Sequence, residues 1–496
     1  MVHIPRIDYD KKFTELNLIL GRLTTMLTSM TKKFGIMVLL CFISVACGAS
    51  DSDSENPEDP IGEPTNRSPA DPADPGETPA ETISGPEDPI GEPTNRSPAD
   101  PADPGETPAE TISGLEDPMG EPTNRSPADP ADPTGDWVAG INSAGWDFHR
   151  YLQGNAVSSP VSIGTAFSMS RAGASVDSGT ALDKIFGFPE TGLHGAANNV
   201  GLAMAEASVE PTVLEVANRL FPDDDFSPLS EFLDIAATRY GAVVEPVDTA
   251  NGDVAADVIN KWVSESTRGL IPTIVDENVV QDQQLILANT VYLKADWARP
   301  FLPELTHDDQ FTTGDNRSVT VSFMRDRDPV GRRFVQLEDA DAVELPYEGD
   351  ELAMWLIVPH DPAGLEALEE SFNAELLTGL QANPQTGLVH LTMPKWEQTL
   401  PPTDLFGWLC PLGFCAGASF DGIAPGIFIT SALHGAKVIV DEKGTEAAAA
   451  TAMSFTESMP PEPDLTIVAD HPFLWAIIHQ ETRAVLFVGR LVDPTA

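Results

Sequence analysis

The chain is short of basic residues and of cysteine. It carries 28 lysines and arginines against 77 aspartates and glutamates, which gives a formal net charge of −49. This acidic balance leaves no basic face for a nucleic acid, so we expect no nucleic-acid partner. The four cysteines form no CxxC pair and no HExxH sequence occurs, so the sequence predicts neither a metal site nor a cofactor.

Motifs of common catalytic sites are also missing. Serine, histidine and aspartate are all present, but the chain has no GxSxG turn and no Walker loop. Asn289 and His434 are polar residues inside apolar stretches, where a structural hydrogen bond is a more common role than catalysis. We therefore expect that the chain is not an enzyme.

Residues 51–135 form an acidic, proline-rich segment without an aromatic residue. It holds 22 acidic residues against three arginines. The sequence PEDPIGEPTNRSPADPADPGETPAETISG at 57–85 recurs unchanged at 86–114, and a shortened third copy fills 115–135. Solenoids have periods of this length, but these copies contain almost nothing apolar to stack. We interpret the segment as a disordered, self-repelling stalk.

Residues 1–50 contain a predicted export signal. Lys32 and Lys33 precede the mostly apolar residues 34–46, a run too short to span a bilayer. Met30 is the start that such a signal would have. Cys47 stands where a bacterial lipoprotein signal places its lipidated cysteine, although Ser44 replaces the expected leucine. Two outcomes stay open: lipidation of Cys47, with attachment to the outer membrane or cell surface, or cleavage nearby and free secretion.

The folded domain is predicted over residues 136–496. Within it, Cys410 and Cys415 are five residues apart, and in an exported domain they could close a small disulfide. Two buried free thiols are the alternative.

The stretch from Val438 to Met459 begins as an apolar strand and continues, after a turn, into four alanines. An alanine run favours helix by intrinsic propensity. Here, however, residues taken in steps of two from Thr445 form a small to apolar face, as in a strand. No proline occurs from Val438 to Met459, so every backbone N–H in this stretch stays available for a ladder with two neighbours. The pattern predicts a segment that can become a central strand.

The chain resembles the serpin family in several separate motifs. They are SSPVSI at 158–163, LILANTVYLKADWARPF at 285–301, DEKGTEAA at 441–448, HPF at 471–473 and LFVGRLVDP at 486–494. The resemblance implies an α+β serpin fold with three β-sheets, about eight or nine helices and an exposed reactive loop. It also implies that a serine protease cleaves the loop, which then inserts into the main sheet.

The resemblance assigns roles to particular residues. It implies a hinge made of Glu442, Gly444, Thr445, Glu446, Ala447, Ala448, Ala449 and Ala450. It implies a polar cluster, where the main sheet parts, made of Ser159, Ser162, Asn289, Trp297 and His434. The function it implies is irreversible, suicide-substrate inhibition of a serine protease through a covalent acyl complex, by a monomer.

Family spacing places the scissile bond about sixteen residues beyond Glu442, at Ser458–Met459. Cleavage after Glu457 is the nearest rival, and Pro460 disfavours cleavage after Met459. A small residue before the cut suits an elastase-like protease, and a chymotrypsin-like protease is the other expected target. Two other functions stay open: a non-inhibitory binding or carrier protein at the cell surface, and a surface adhesin.

Overall fold

The computed structural model describes residues 125–445 and 461–496. Its α-helices, numbered in chain order, are α1 Thr134–Tyr151, α2 Pro160–Arg171, α3 Val176–Phe186, α4 Leu193–Ala207, α5 Ser230–Tyr240, α6 Gly252–Ser266, α7 Glu277–Val280, α8 Leu365–Ser371, α9 Ala374–Gly379 and α10 Phe406–Leu409. Short 3₁₀ turns cover Pro303–Leu305 and Cys410–Leu412. Among these described helices, none is both long enough and apolar enough to cross a bilayer.

The strands of the same residues are likewise numbered in chain order. They are β1 Ala156–Ser158, β2 Val213–Pro222, β3 Val243–Val244, β4 Leu285–Asp296, β5 His307–Thr312, β6 Ser318–Arg325, β7 Val330–Gln336, β8 Ala340–Pro346, β9 Leu352–Pro359, β10 Gln385–Pro394, β11 Trp396–Asp404, β12 Ala418–Ser419, β13 Phe428–Ile429, β14 Ser431–Val440, β15 Gly444–Thr445, β16 Leu465–Val468, β17 Phe473–His479 and β18 Val485–Leu491.

Two large sheets and one small sheet contain these strands. The main sheet has the order β11-β14-β15-β4-β2-β3, and β14 also pairs with β4. The second sheet runs β1-β18-β17-β9-β8-β7-β10-β6-β5, with β16 beside β10, and β12 pairs with β13. The predicted α+β class with three sheets is confirmed. Ten α-helices are described rather than eight or nine, and two of them, α7 and α10, are single four-residue turns.

The main sheet is covered on both faces, which explains why β4 is apolar on both sides. Leu285 and Leu287 belong to the largest core cluster, together with residues of α2. Ile286 and Ala288 point the other way, into a cluster with Ile259 of α6. Alternate side chains of a strand face opposite sides of its sheet, so β4 has no solvent-facing side here. The prediction of a strand buried on both faces is confirmed.

Helix α2 begins as the sequence SSPVSI predicts. Ser159 is extended and its side chain accepts a hydrogen bond from the Ser162 backbone N–H, while Pro160 occupies the first helical position. A proline is tolerated there because the N–H it lacks has no partner inside the helix. This start places both serines, which are fully buried, against the main sheet.

Helix α6 ends at Ser266, because Arg268 and Gly269 both adopt positive φ, of 50° and 83°, and so leave the helical path. The folded part was expected to begin at 136, but α1 begins at Thr134 and residues 125–133 already make hydrogen bonds to α4 and α5. Polar composition did not indicate these contacts because they involve main-chain groups.

Candidate functional site

The hinge enters the top of the main sheet as the two-residue strand β15. Thr445 pairs with Val440 of β14 on one side and with Ala295 of β4 on the other, and Gly444 pairs with Asp296. Both pairings are antiparallel, because β14 and β4 run in the same direction and the turn at 441–443 reverses the chain. Gly444 and Thr445 of the predicted hinge therefore already form part of the sheet.

Below β15, the two neighbouring strands stay apart before they meet. Among the described residues, β14 pairs directly with β4 only from Ser431–Ile286 to His434–Asn289. Residues 290–294 of β4 pair with β2, and residues 436–439 of β14 pair with β11, which has a register shift opposite Gly435. Residues 290–294 and 435–439 do not pair with each other. The main sheet thus contains an open slot, which we define by these two five-residue runs.

The slot is five residues long on each side. It lies between the Thr445–Ala295 and Thr445–Val440 pairings at one end and the His434–Asn289 pair at the other. Glu446 to Ala450, the five hinge residues that follow Thr445, lie outside the described residues.

Thr445 faces the core through a specific contact. Its side chain is 2% exposed, and its hydroxyl lies 2.7 Å from the Tyr347 hydroxyl in a hydrogen bond. Tyr347 stacks on Trp297 with ring centroids 4.5 Å apart, and the Trp297 Nε1–H donates to the Asp441 carbonyl at 3.0 Å. Gly444 fits because a Cβ there would lie 2.0 Å from the Ala295 carbonyl oxygen.

Glu442 anchors the base of the hinge. Its carboxylate is 2.8 Å from the Lys395 Nζ and accepts a hydrogen bond from the Thr306 hydroxyl at 2.8 Å. Burial by itself raises the pKa of this carboxyl, but the bonds from Lys395 and Thr306 outweigh burial and hold the pKa below its usual value. Glu442 therefore remains charged and paired at neutral pH.

The lower end of the slot is closed by a buried polar cluster. His434 Nδ1 lies 2.8 Å from the Asn289 Oδ1, and the Ser159 backbone N–H donates to His434 Nε2 at 3.2 Å. Since Nε2 accepts, Nδ1 carries the proton and donates to Asn289. Burial lowers the pKa of His434 to about 3, so the ring is neutral at physiological pH.

Asn289 is the centre of this cluster. Its Nδ2 donates to the Ser162 carbonyl and to the Asn218 Oδ1, both at 2.6 Å. The Ser162 hydroxyl donates to the Thr290 carbonyl at 3.3 Å. The structure therefore brings together four of the five predicted cluster residues: Ser159, Ser162, Asn289 and His434.

Trp297 does not belong to the same cluster, which corrects the predicted grouping. It lies eight residues beyond Asn289 along β4, roughly 26 Å in an extended strand, and contacts the hinge instead. Sequence reasoning also missed Asn218, Tyr347, Thr306 and Lys395. These residues belong to elements far apart in the chain, so no local pattern marked them.

The remaining predicted sites divide into those the structure describes and those it does not. Cys410 and Cys415 form a disulfide, with an S–S distance of 1.96 Å. The scissile pair Ser458–Met459, the alanines of the hinge and Cys47 lie outside the described residues.

Gly444 and Thr445 thus form a short strand between β14 and β4 of the main sheet. Residues 149–494 match the family model described as serpin (serine protease inhibitor). The leukocyte elastase inhibitor of Xenopus laevis is 32% identical over 355 residues, which cover 69% of this chain and 93% of the relative. The chain belongs to the serpin family.

Solved structures agree with this fold. Tengpin, a thermophilic serpin in its native state, is similar with a TM-score of 0.67 and 22% identity, over 75% of this chain and 97% of tengpin. Thyroxine-binding globulin in complex with thyroxine is similar with a TM-score of 0.64 and 24% identity, over 72% of this chain and 99% of the globulin. At these identities the likeness concerns the fold alone.

One expectation from the sequence needs correction. The expectation that the chain is not an enzyme rested only on missing catalytic motifs. It is replaced by what the comparisons found: the chain matches a family described as serine protease inhibitors, and one relative is named as an elastase inhibitor. Family membership, not a missing motif, is what bears on the activity of this chain.

Proposed function

We propose that this protein is an irreversible suicide-substrate inhibitor of serine proteases. The observation that carries the proposal is the slot: β15 has entered it in the register that leaves room for Glu446 to Ala450. The hinge residues destined for the core-facing side, Ala447 and Ala449, are small. A loop of this composition can enter the sheet without burying a charge on that side.

The proposed mechanism is a race between insertion and hydrolysis. The protease serine attacks the Ser458 carbonyl, the bond to Met459 breaks, and the amine of Met459 leaves with a proton, so the inhibitor is held as an acyl ester. The loop then inserts from Glu446 to Ser458, thirteen residues or roughly 43 Å. Insertion carries the enzyme along and distorts it before water reaches the ester.

The polar cluster governs this insertion. Glu446 to Ala450 can insert into the open slot without breaking a pair between β14 and β4. Thr451 and the residues after it can insert only if the direct pairs from His434–Asn289 to Ser431–Ile286 separate. We propose that Ser159, Ser162, Asn289 and His434 hold these pairs closed until cleavage frees the loop.

The target is proposed to be an elastase-like protease, with a chymotrypsin-like enzyme as the next choice. The small residue at the predicted cut supports this, and so does the name of the Xenopus laevis relative. The experiment mixes the full chain with neutrophil elastase, chymotrypsin and trypsin, followed by denaturing gels and mass spectrometry. We expect a covalent complex with elastase and a released peptide that begins at Met459.

Other outcomes of this experiment are equally informative. A peptide beginning at Ser458 would move the bond to Glu457–Ser458. A peptide beginning at Ser454 or Thr456 would contradict the spacing argument. Cleavage by all three enzymes without any covalent complex would favour the binding or carrier alternative.

We also propose that the protein is exported and held at the membrane by a lipid on Cys47. The support is the charged and then apolar sequence before Cys47, and the repeat segment after it would act as a spacer. The test is detergent phase partitioning of the wild type and Cys47→Ala. We expect only the wild type in the detergent phase, and equal aqueous partitioning would indicate secretion.

A further inference from the structure

The end of the third repeat copy, residues 125–133, is seated on helices α4 and α5. We call the surface beneath it the repeat-docking surface, and it consists of Gly195, Asn198, Asn199 and Gly201 of α4 with Thr238 and Tyr240 of α5. The Ser126 backbone N–H donates to the Thr238 carbonyl at 2.8 Å. The Ser126 carbonyl accepts from the Asn198 Nδ2, also at 2.8 Å, and Asn198 is fully buried.

Asn199 holds the middle of the seated segment. Its Oδ1 accepts from the Asp129 backbone N–H at 3.0 Å, and its Nδ2 donates to the Asp129 carbonyl at 2.7 Å. The Asp129 side chain is occupied within the segment, where it accepts from the Ala131 N–H at 2.9 Å. One asparagine thus satisfies both main-chain groups of a residue, as a neighbouring strand would.

At the two ends of the segment, charged side chains lie close to glycines of α4. The Arg125 guanidinium donates to the Tyr240 carbonyl, and a Cβ on Gly201 would lie 2.2 Å from its Nη1. The Asp132 carboxylate lies at the first turn of α4, where a Cβ on Gly195 would be 2.0 Å from its Oδ2. Helix N-termini favour negative charge, so this end suits a carboxylate.

The seated sequence occurs three times in the chain. RSPADPADP at 125–133 is repeated without change at 67–75 and at 96–104. Every side chain and main-chain group named above as contacting the surface belongs to a residue with an identical counterpart in the other two copies. One chain therefore carries three copies of the ligand and one surface that holds it.

We propose that the repeat-docking surface is a binding site for the RSPADPADP sequence and that its second occupant is another copy of this chain, through residues 67–75 or 96–104. The seated copy, residues 125–133, is joined directly to α1. It therefore competes with the repeats of other chains for the repeat-docking surface at an effective concentration on the order of millimolar. A neighbouring chain takes its place when the seated copy is weakened or removed, and the repeats then link chains.

The test weakens the seated copy alone in the full chain. Arg125→Ala removes a charge-assisted hydrogen bond, which lowers its binding roughly tenfold to hundredfold. The intact Arg67 and Arg96 of other chains then compete at protein concentrations on the order of 100 µM. We expect sedimentation equilibrium to show concentration-dependent association of Arg125→Ala, while the wild type stays monomeric at the same concentrations.

Two matched variants distinguish association through the repeat-docking surface from nonspecific association. The triple variant Arg67→Ala, Arg96→Ala, Arg125→Ala has the same defect in its seated copy but no intact competitor, so it is expected to be monomeric. Adding Asn199→Ala to Arg125→Ala removes the receptor side and is expected to abolish association. The synthetic peptide RSPADPADP is expected to dissociate the Arg125→Ala assemblies, and ASPADPADP is not.

Either of two results would overturn the proposal. One is an Arg125→Ala chain that stays monomeric over this range. The other is a triple variant that associates as strongly as Arg125→Ala, because the association would then not depend on the repeat arginines.

Discussion

At the scale of single residues, Thr445 tests whether the hinge must be buried. Its side chain is 2% exposed against Tyr347, so Thr445→Arg would place an unpaired charge under the sheet, at a cost on the order of 3 kcal/mol. Because Thr445 already lies in the sheet of the uncleaved protein, we expect the arginine to move the hinge out of the sheet. Re-entry then adds this cost to the insertion barrier and slows insertion about a hundredfold. We expect the variant to be cleaved as a substrate, measured as a rise in the stoichiometry of inhibition.

The control is Thr445→Ser, which keeps the hydroxyl that bonds to Tyr347. It should inhibit nearly as well as the wild type. An unchanged stoichiometry in Thr445→Arg would mean that inhibition does not need the hinge inside the sheet.

Because the pKa of His434 is lowered in the folded state, the free energy of unfolding should decrease as the pH falls. Burial lowers its pKa to about 3, whereas an unfolded chain has the ordinary value of 6.5. Between these two values the unfolded state binds a proton that the folded state does not, so stability falls as the pH falls from 6.5 towards 3, by at most about 1.4 kcal/mol per pH unit.

The measurement compares thermal unfolding midpoints of the wild type and His434→Gln from pH 7.5 to pH 5. Because glutamine does not titrate, the advantage of the wild type should shrink below pH 6.5. Parallel pH curves for the two proteins would show that folding does not shift the pKa of His434.

At the scale of elements, the direct pairs between β4 and β14, from Ser431–Ile286 to His434–Asn289, decide how easily the sheet opens. We call these four pairs the seam. Asn289 makes three hydrogen bonds, to His434, Ser162 and Asn218, at the first directly paired position below the slot. Asn289→Ala should weaken this closure, so that the uncleaved loop inserts by itself. We expect a several-fold faster loss of inhibitory activity during incubation at 37 °C.

Asn260 offers a matched control away from the seam. It also makes three hydrogen bonds, to Val275 and Ile274, but in the connection that follows α6. Asn260→Ala should destabilise the fold without speeding inactivation of the native protein. Equal inactivation of both variants would attribute the effect to general destabilisation.

At the scale of the whole molecule, the open slot implies that the uncleaved protein is not in its most stable form. In the proposed mechanism, cleavage in the loop lets it fill the slot and form a ladder with β4 and β14. We expect the thermal midpoint to rise by more than about 10 °C after cleavage, measured by calorimetry before and after limited proteolysis. In Thr445→Arg the rise should be much smaller, and an equal rise would contradict the insertion model.

Sequence alone was sufficient for the fold class and for several elements. The motifs SSPVSI and LILANTVYLKADWARPF resemble the serpin family, and they lie at the start of α2 and along β4. Such motifs can be recognised because their residues are neighbours in the chain. Sequence reasoning placed the start of the folded part too late.

What the sequence determined about this protein is its family, its hinge and its polar residues in apolar strands, because composition and short motifs carry that information. Only the tertiary structure decided which of them meet. It separated Trp297 from the His434–Asn289 cluster and joined it to Tyr347 and the hinge. It also showed that 125–133 is seated on α4 and α5, through main-chain hydrogen bonds that no side-chain pattern encodes. Pairings between residues a hundred or more positions apart depend on sheet register and helix packing, which only the folded chain fixes.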